Sequence, residues 1–291
     1  MSKRIPWRAV AAASIVIATI ALFINYFVGH PSLGHKLAEI PVSTLIGLLV
    51  LYCLFVGCLA LINEATVRLC KASIGRSESL LLTMYSSIIN FFGPLQSGPA
   101  FRGVYLKKKH GVKLRDYTLA SFAYYFFYAL FSGLLLVSGI FKWWTVLLGI
   151  LSLVAVYFFT KSRFVKLKGL DRLDHSSWPY MAIATALQVA CLVVIFYVEI
   201  HSVAPSTSLS QVLIYTGAAN FALFVSITPG AIGFREAFLV FSQNLHGISN
   251  TTIVAANTID RAVYVSLLAI LTLLIFGTHA RDRFKKVTAE A

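Results

Sequence analysis

Charge is scarce in this 291-residue chain. Only 12% of its residues are charged, and carboxylates are the rarer kind, with 11 Asp and Glu against 25 Lys and Arg. Cysteine occurs four times and never as a Cys-x-x-Cys pair: Cys53, Cys58 and Cys191 lie in apolar runs, and Cys70 lies in a basic segment. That spacing offers neither a zinc site nor a redox motif, so small buried side chains are their expected role. The seven histidines are scattered, with no His-Glu-x-x-His or similar spacing, so neither a metal nor any other cofactor is expected. His30 and His35 share one loop, which a solvated surface explains. An enzyme needs a convergent acid, base or nucleophile. Glu236, Asp260 and His246 are the sole candidates, and no spacing supports them, so the chain is not expected to be an enzyme.

Apolar residues are abundant, at 58%. Several runs of about 20 apolar residues are each long enough to cross a hydrocarbon core of about 30 Å. The expectation is an all-α polytopic integral membrane protein, one membrane domain over residues 1–291 with no room for a separate soluble domain. The net charge of +14 does not point to nucleic acid, because the basic residues sit between the apolar runs. There they report orientation and contact with anionic membrane lipids.

Taken in order, a basic tail with Lys3, Arg4 and Arg8 leads into a first span over 9–28, read as an uncleaved anchor. A second span covers about 42–63, followed by a polar stretch, 64–79, read as helical. Further spans are expected at 117–139, 143–160, 178–200 and 252–277. Two apolar segments differ from these. Residues 80–106 are interrupted at Gly93, Pro94, Gly98 and Pro99, and residues 211–246 at Pro229, Gly230 and Gly233. Proline removes a backbone donor and glycine weakens a helix, so a continuous helix through either segment is not expected. A broken helix at membrane depth is tolerated where it is buried in protein or lines a wet cavity.

The two broken segments align. Pro94 and Gly98 are four apart, as are Pro229 and Gly233, and each set is followed by an Arg and then by His-Gly, His110-Gly111 and His246-Gly247. An internal repeat of about 135 residues follows, with halves over about 9–139 and 143–277. Charge then decides the topology. If each broken segment is a re-entrant hairpin, Lys and Arg on the inner side number three in the amino-terminal tail, three in 64–79, five in 107–116, five in 161–177 and four in the carboxyl tail, twenty in all. Outside stand two, Lys36 and Lys142. If each segment crossed once, the count would be eleven on either side. The positive-inside rule selects the first arrangement. It comprises six full transmembrane helices, two oppositely oriented re-entrant broken-helix hairpins forming an inverted repeat, and both termini in the cytoplasm.

Such hairpins meeting near the midplane are a recurrent transporter layout. Helix ends exposed at the breaks offer amide donors suited to an anionic group such as phosphate, and Arg adds bidentate recognition. A lone Arg at a helix centre costs about 2.5 to 3.5 kcal/mol on insertion. The candidate substrate-binding residues are therefore those charged at membrane depth: Arg102, Arg235, Glu236, Asp260 and Arg261. Asn90, Pro94, Gly98, Pro229, Gly230 and Gly233 mark the helix breaks. Asp260 and Arg261 point about 100° apart on their helix, so each is expected to face Glu236, Arg235 or a wet cavity rather than the other.

Three segments carry a resemblance. TPGAIGFREAF (228–238), ANTIDRAVY (256–264) and the pattern Asn90-x-x-x-Pro94-x-x-x-Gly98-x-x-x-Arg102 resemble the lysylphosphatidylglycerol synthase transmembrane family, over about residues 9–280. Those are flippase-like membrane domains, fused to aminoacyl-phosphatidylglycerol synthases or standing alone. Where that family usually has a Glu directly after the second Gly of the first motif, Pro99 stands here, which leaves open whether the first hairpin keeps a charged pair and whether the substrate is the same. The soluble aminoacyl-transferase domain is not in this sequence, so synthase activity is not carried over. The resemblance implies a flippase of a prokaryotic plasma membrane, moving an anionic or aminoacylated phospholipid or lipid-linked molecule between leaflets. With no nucleotide-binding loop, transport would be gradient-driven or an equilibration. The alternatives are a non-transporting partner of an envelope lipid or glycan synthase, and a lipid-modifying membrane enzyme. Homodimerisation is left open.

Overall fold

The computed structural model describes residues 39–92, 97–141, 172–224, 231 and 234–289, together with residues 21, 28, 149 and 151. The described part is helical. Its helices are α1 (Val42–Leu69), α2 (Arg76–Phe92), α3 (Ser97–His110), α4 (Leu114–Phe141), α5 (Trp178–Val203), α6 (Leu209–Phe224), α7 (Phe234–Phe241), the single turn α8 (Gln243–His246) and α9 (Asn250–Ala289). Helices α1, α4, α5 and α9 are long and apolar enough to cross a membrane. They coincide with four of the expected spans, and the expected spans at 9–28 and 143–160 lie outside the described residues except for residues 21, 28, 149 and 151.

Why these helices sit in lipid is visible along α1. Leu48, Tyr52 and Val56, four apart, are buried in the core, while Val42, Ile46, Val50 and Leu54, also four apart, are exposed. Residues four apart share a helix face, so α1 is apolar on both its inner and outer faces, the pattern of a helix solvated by hydrocarbon. Exposed Phe122 and Phe126 on α4 and Leu273, Leu274 and Phe276 on α9 continue that outer surface. The broadest helix contacts are α1 with α5 and α4 with α6, and one continuous core joins α1, α4, α5, α6 and α9.

Two findings correct the sequence reading. The polar stretch 64–79 is not one helix: α1 ends at Leu69, Lys71 takes the left-handed conformation (φ 58), and α2 starts at Arg76. The second arm of the later broken segment, expected to run to 246, ends at Phe241, and the separate turn α8 follows Ser242.

Helices α2 and α3 lie antiparallel. Near their outer ends, Glu78 of α2 accepts from Tyr105 (2.7 Å) and meets Lys109 (3.0 Å) and His110 (2.7 Å) of α3. Near their inner ends, the Asn90 side chain accepts from the Gly98 amide at 3.3 Å, and Ser97 donates to the Ile89 carbonyl. Gly98 is required by the close approach: a Cβ there would stand 2.7 Å from the Ser86 carbonyl oxygen. Helices α6 and α7–α8 also run back along each other, with Gln211 reaching the Gly247 carbonyl and Tyr215 stacking edge-on to His246. The glycines of the two His-Gly pairs, Gly111 and Gly247, share a left-handed φ of 67°.

The Glu78 cluster sets a pH dependence. Burial opposes ionisation of Glu78, but hydrogen bonds from His110, Tyr105 and Lys109 outweigh it and hold the carboxyl down at about 2, below its usual 4.5. A depressed folded-state value means that the contribution to stability is complete above pH 4.5 and is lost as pH falls through about 2. Thermal melts over that window should show wild type losing stability that Glu78→Gln does not lose. Parallel curves for the two proteins would remove the cluster from the account.

Candidate functional site

The cavity at the centre of the bundle has a volume of about 240 Å3. Its walls come from α1 to α7 and α9. Four sequence-predicted residues line it, Arg102, Arg235, Asp260 and Arg261, together with Asn90. Aromatic side chains supply much of the rest, including Tyr124, Tyr125 and Tyr128 of α4 and Phe196 of α5.

The buried charges pair crosswise. Helix α7 presents Arg235 and Glu236 in succession, and α9 presents Asp260 and Arg261. Arg235 Nη1 donates to Asp260 Oδ2 at 2.8 Å, and Arg261 Nη2 donates to Glu236 Oε1 at 3.1 Å. Successive residues diverge by about 100° on each helix, so two antiparallel pairs satisfy both helices where one pair could not. All four residues are buried. Asp260 Oδ1 also accepts from the Tyr52 hydroxyl, and the Arg235 guanidinium lies 4.9 Å above the Phe196 ring. A guanidinium carries five donors. Arg235 uses Nη1, while its buried Nε and Nη2 have no hydrogen-bond partner among the described residues.

Arg102, on α3, faces the same cavity. No carboxylate lies within ion-pair distance of it among the described residues, and its Nε is buried without an acceptor. Pro99 lines the cavity one turn before it, at the third position of α3. Proline is tolerated there, because first-turn amides have no intrahelical acceptor.

The residues taken as helix breaks divide. Asn90 lies inside α2 and Gly98 inside the first turn of α3, on either side of residues 93–96. The Asn90 side chain supplies the acceptor that an unpaired first-turn amide of α3 needs. Pro94, Pro229, Gly230 and Gly233 lie outside the described residues. Within the second motif, Ala231 is buried against the cavity with φ 56, a left-handed conformation uncommon outside glycine.

Over residues 10–272 the sequence matches the lysylphosphatidylglycerol synthase TM region. The chain belongs to that family. A search among curated proteins found no significant match. Family membership and the helices together make it a multi-pass membrane protein.

Sequence reasoning missed two residues of this family member's charged centre. Glu199 of α5 is 1% exposed, and its Oε1 lies 3.4 Å from the Tyr52 hydroxyl. Its signal was a single carboxylate in the run VVIFYVEIHSV, where an ionisable residue in an apolar span is a functional candidate by default. It stands one residue before the expected span end at 200, where a carboxylate is unremarkable. Tyr52 carried no signal, since nothing in LVLYCLF separates a tyrosine that bridges carboxyl groups from one that packs.

Proposed function

We propose that this protein is a flippase that moves an anionic or aminoacylated phospholipid, or a lipid-linked molecule, between the leaflets of a prokaryotic plasma membrane. The observation that carries this reading is Arg235. It is 6% exposed, lines the central cavity together with Arg102, and has two guanidinium nitrogens without partners among the described residues, where Arg102 likewise has no carboxylate within ion-pair distance. Unsatisfied buried donors are costly, and a phosphate oxygen in the cavity would satisfy them in the bidentate geometry that guanidinium groups favour. The tyrosine-rich wall suits the amphipathic region of a lipid, where an apolar body meets polar atoms.

In this reading the antiparallel α2–α3 and α6–α7 pairs are re-entrant hairpins entering from opposite faces. Six full spans surround them, both termini are cytoplasmic, and the chain is a transporter and not an enzyme. The shared left-handed glycines at 111 and 247 support the inverted repeat. A cysteine at Lys109 should then react with impermeant reagents from the cytoplasm only, and one at Pro205 from outside only. Labelling of both from one side would overturn the two-hairpin topology.

Transport itself is tested in liposomes containing fluorescent phosphatidylglycerol, with quenching of the outer leaflet. Wild type should exchange the probe between leaflets without altering it chemically. Chemical conversion of the lipid would replace transport with catalysis. Silence across phosphatidylglycerol, its lysyl ester and a polyprenyl phosphate would favour a non-transporting partner of an envelope synthase.

A further inference from the structure

One hydroxyl hydrogen stands between two carboxyl groups at the cavity wall. The Tyr52 hydroxyl is within hydrogen-bond reach of Asp260 Oδ1 and, at 3.4 Å, of Glu199 Oε1. A phenol has a single hydrogen, so it can donate to only one of them. Asp260 is the member with a cation beside it, since its other oxygen accepts from Nη1 of Arg235. Glu199 is 1% exposed, and no cation lies within ion-pair distance of it among the described residues. A buried carboxylate with neither cation nor hydrogen is strongly disfavoured. A protonated Glu199 removes the conflict: it donates to the Tyr52 oxygen, and Tyr52 donates to Asp260. The groups facing Glu199 are Tyr52 from α1, Tyr215 from α6, Arg235 from α7, and Asp260 and Arg261 from α9. Helix α4 brings Tyr124 and Tyr128 to the cavity wall.

We propose that Glu199, Tyr52 and Asp260 form a proton relay that loads the anion site, so that a headgroup anion enters together with one proton. This rests on the reading of Arg235 as the headgroup ligand. A proton from water binds one Glu199 oxygen while the proton already on Glu199 passes to the Tyr52 oxygen and the Tyr52 proton passes to Asp260. One O–H bond breaks at a hydronium ion of the aqueous phase, one at Glu199 and one at Tyr52; one forms at each of Glu199, Tyr52 and Asp260. The net change is one proton taken from water and one neutral carboxylic acid at Asp260. Arg235 then loses its ion pair with Asp260 and pairs with the incoming phosphate, and the arriving anion and proton cancel in charge. Glu199 sits four residues before the end of α5 at Val203, about 6 Å along the helix, so the path from the aqueous face is short.

Two measurements on the full chain test this. Infrared spectra in phosphatidylcholine nanodiscs at neutral pH should contain a protonated-carboxyl band that is missing in Glu199→Gln. Tyr52→Phe, which removes only the hydroxyl, should shift its frequency. No such band, or one unchanged in either variant, overturns the relay whether or not the protein transports lipid. Binding of short-chain phosphatidylglycerol in detergent should weaken about tenfold per unit rise in pH, the slope for one linked proton, and this slope should flatten in Asp260→Asn. Binding that does not vary with pH sinks the coupling alone, and absence of binding at every pH sinks the headgroup reading with it.

Discussion

Replacing Arg235 with alanine is expected to abolish lipid exchange, and the harder question is whether that loss reports the site or the fold. The substitution removes the partner of Asp260 and leaves a carboxylate 5% exposed without its cation, which costs about 3 to 5 kcal/mol for a buried pair broken on one side. A drop in melting temperature is therefore expected with the loss of activity. Two further variants separate the causes. Arg235→Lys keeps a cation for Asp260 but loses the planar fork, so it should melt close to wild type while binding phosphatidylglycerol about ten- to a hundredfold more weakly, the equivalent of about 1.5 to 3 kcal/mol for a charged hydrogen bond. Arg235→Met combined with Asp260→Asn removes both charges and should recover most of the stability, as buried pairs replaced on both sides commonly do. It should recover no exchange. Exchange at the wild-type rate in that double variant would make the pair structural and end the claim that Arg235 holds a headgroup.

The second large effect is expected at Gly217, in the middle of α6. A Cβ there would stand 2.8 Å from the Ser132 carbonyl oxygen and the Leu136 amide nitrogen of α4, both backbone atoms that cannot turn aside. One turn on, the Asn220 side chain donates to Ser132 Oγ at 3.1 Å. The helices meet closely because a small residue lets their backbones approach, as membrane helices do in the absence of a hydrophobic drive between them. Gly217→Leu must part the two helices, and overpacking of this kind costs about 1 to 3 kcal/mol, occasionally more. A clear fall in melting temperature in detergent is expected, with a smaller one for Gly217→Ala. Gly133→Ala, where a Cβ meets nothing within 4 Å, is the control and should be neutral or slightly stabilising. Equal melting of Gly217→Leu and wild type would refute the tight α4–α6 seam.

The described spans were legible because one physical rule decides them: runs such as 42–63 and 178–200 bury enough apolar surface to pass through hydrocarbon, whatever they pack against. The same rule made Arg235, Glu236, Asp260 and Arg261 conspicuous, since charge in such surroundings needs compensation. Legibility failed where a boundary depends on a local backbone choice. The left-handed turn at Lys71, which splits 64–79, and the end of α7 at Phe241 left no composition signal.

Partnership is a property of three dimensions. The crosswise pairing of Arg235 with Asp260 and Arg261 with Glu236 spans 25 residues in each case, and only the packing of α7 on α9 brings the four together. Tyr52 and Glu199, 147 residues apart, are an ordinary core tyrosine and an ordinary span-end carboxylate until α1 lies against α5 and places one hydroxyl between two acids. Hydropathy is a sum over neighbours in the chain, so the sequence states which segments leave water. A hydrogen bond depends on atoms a few ångströms apart in space, so which charges are paired, and which of their donors have no partner among the described residues, follows from the helix packing.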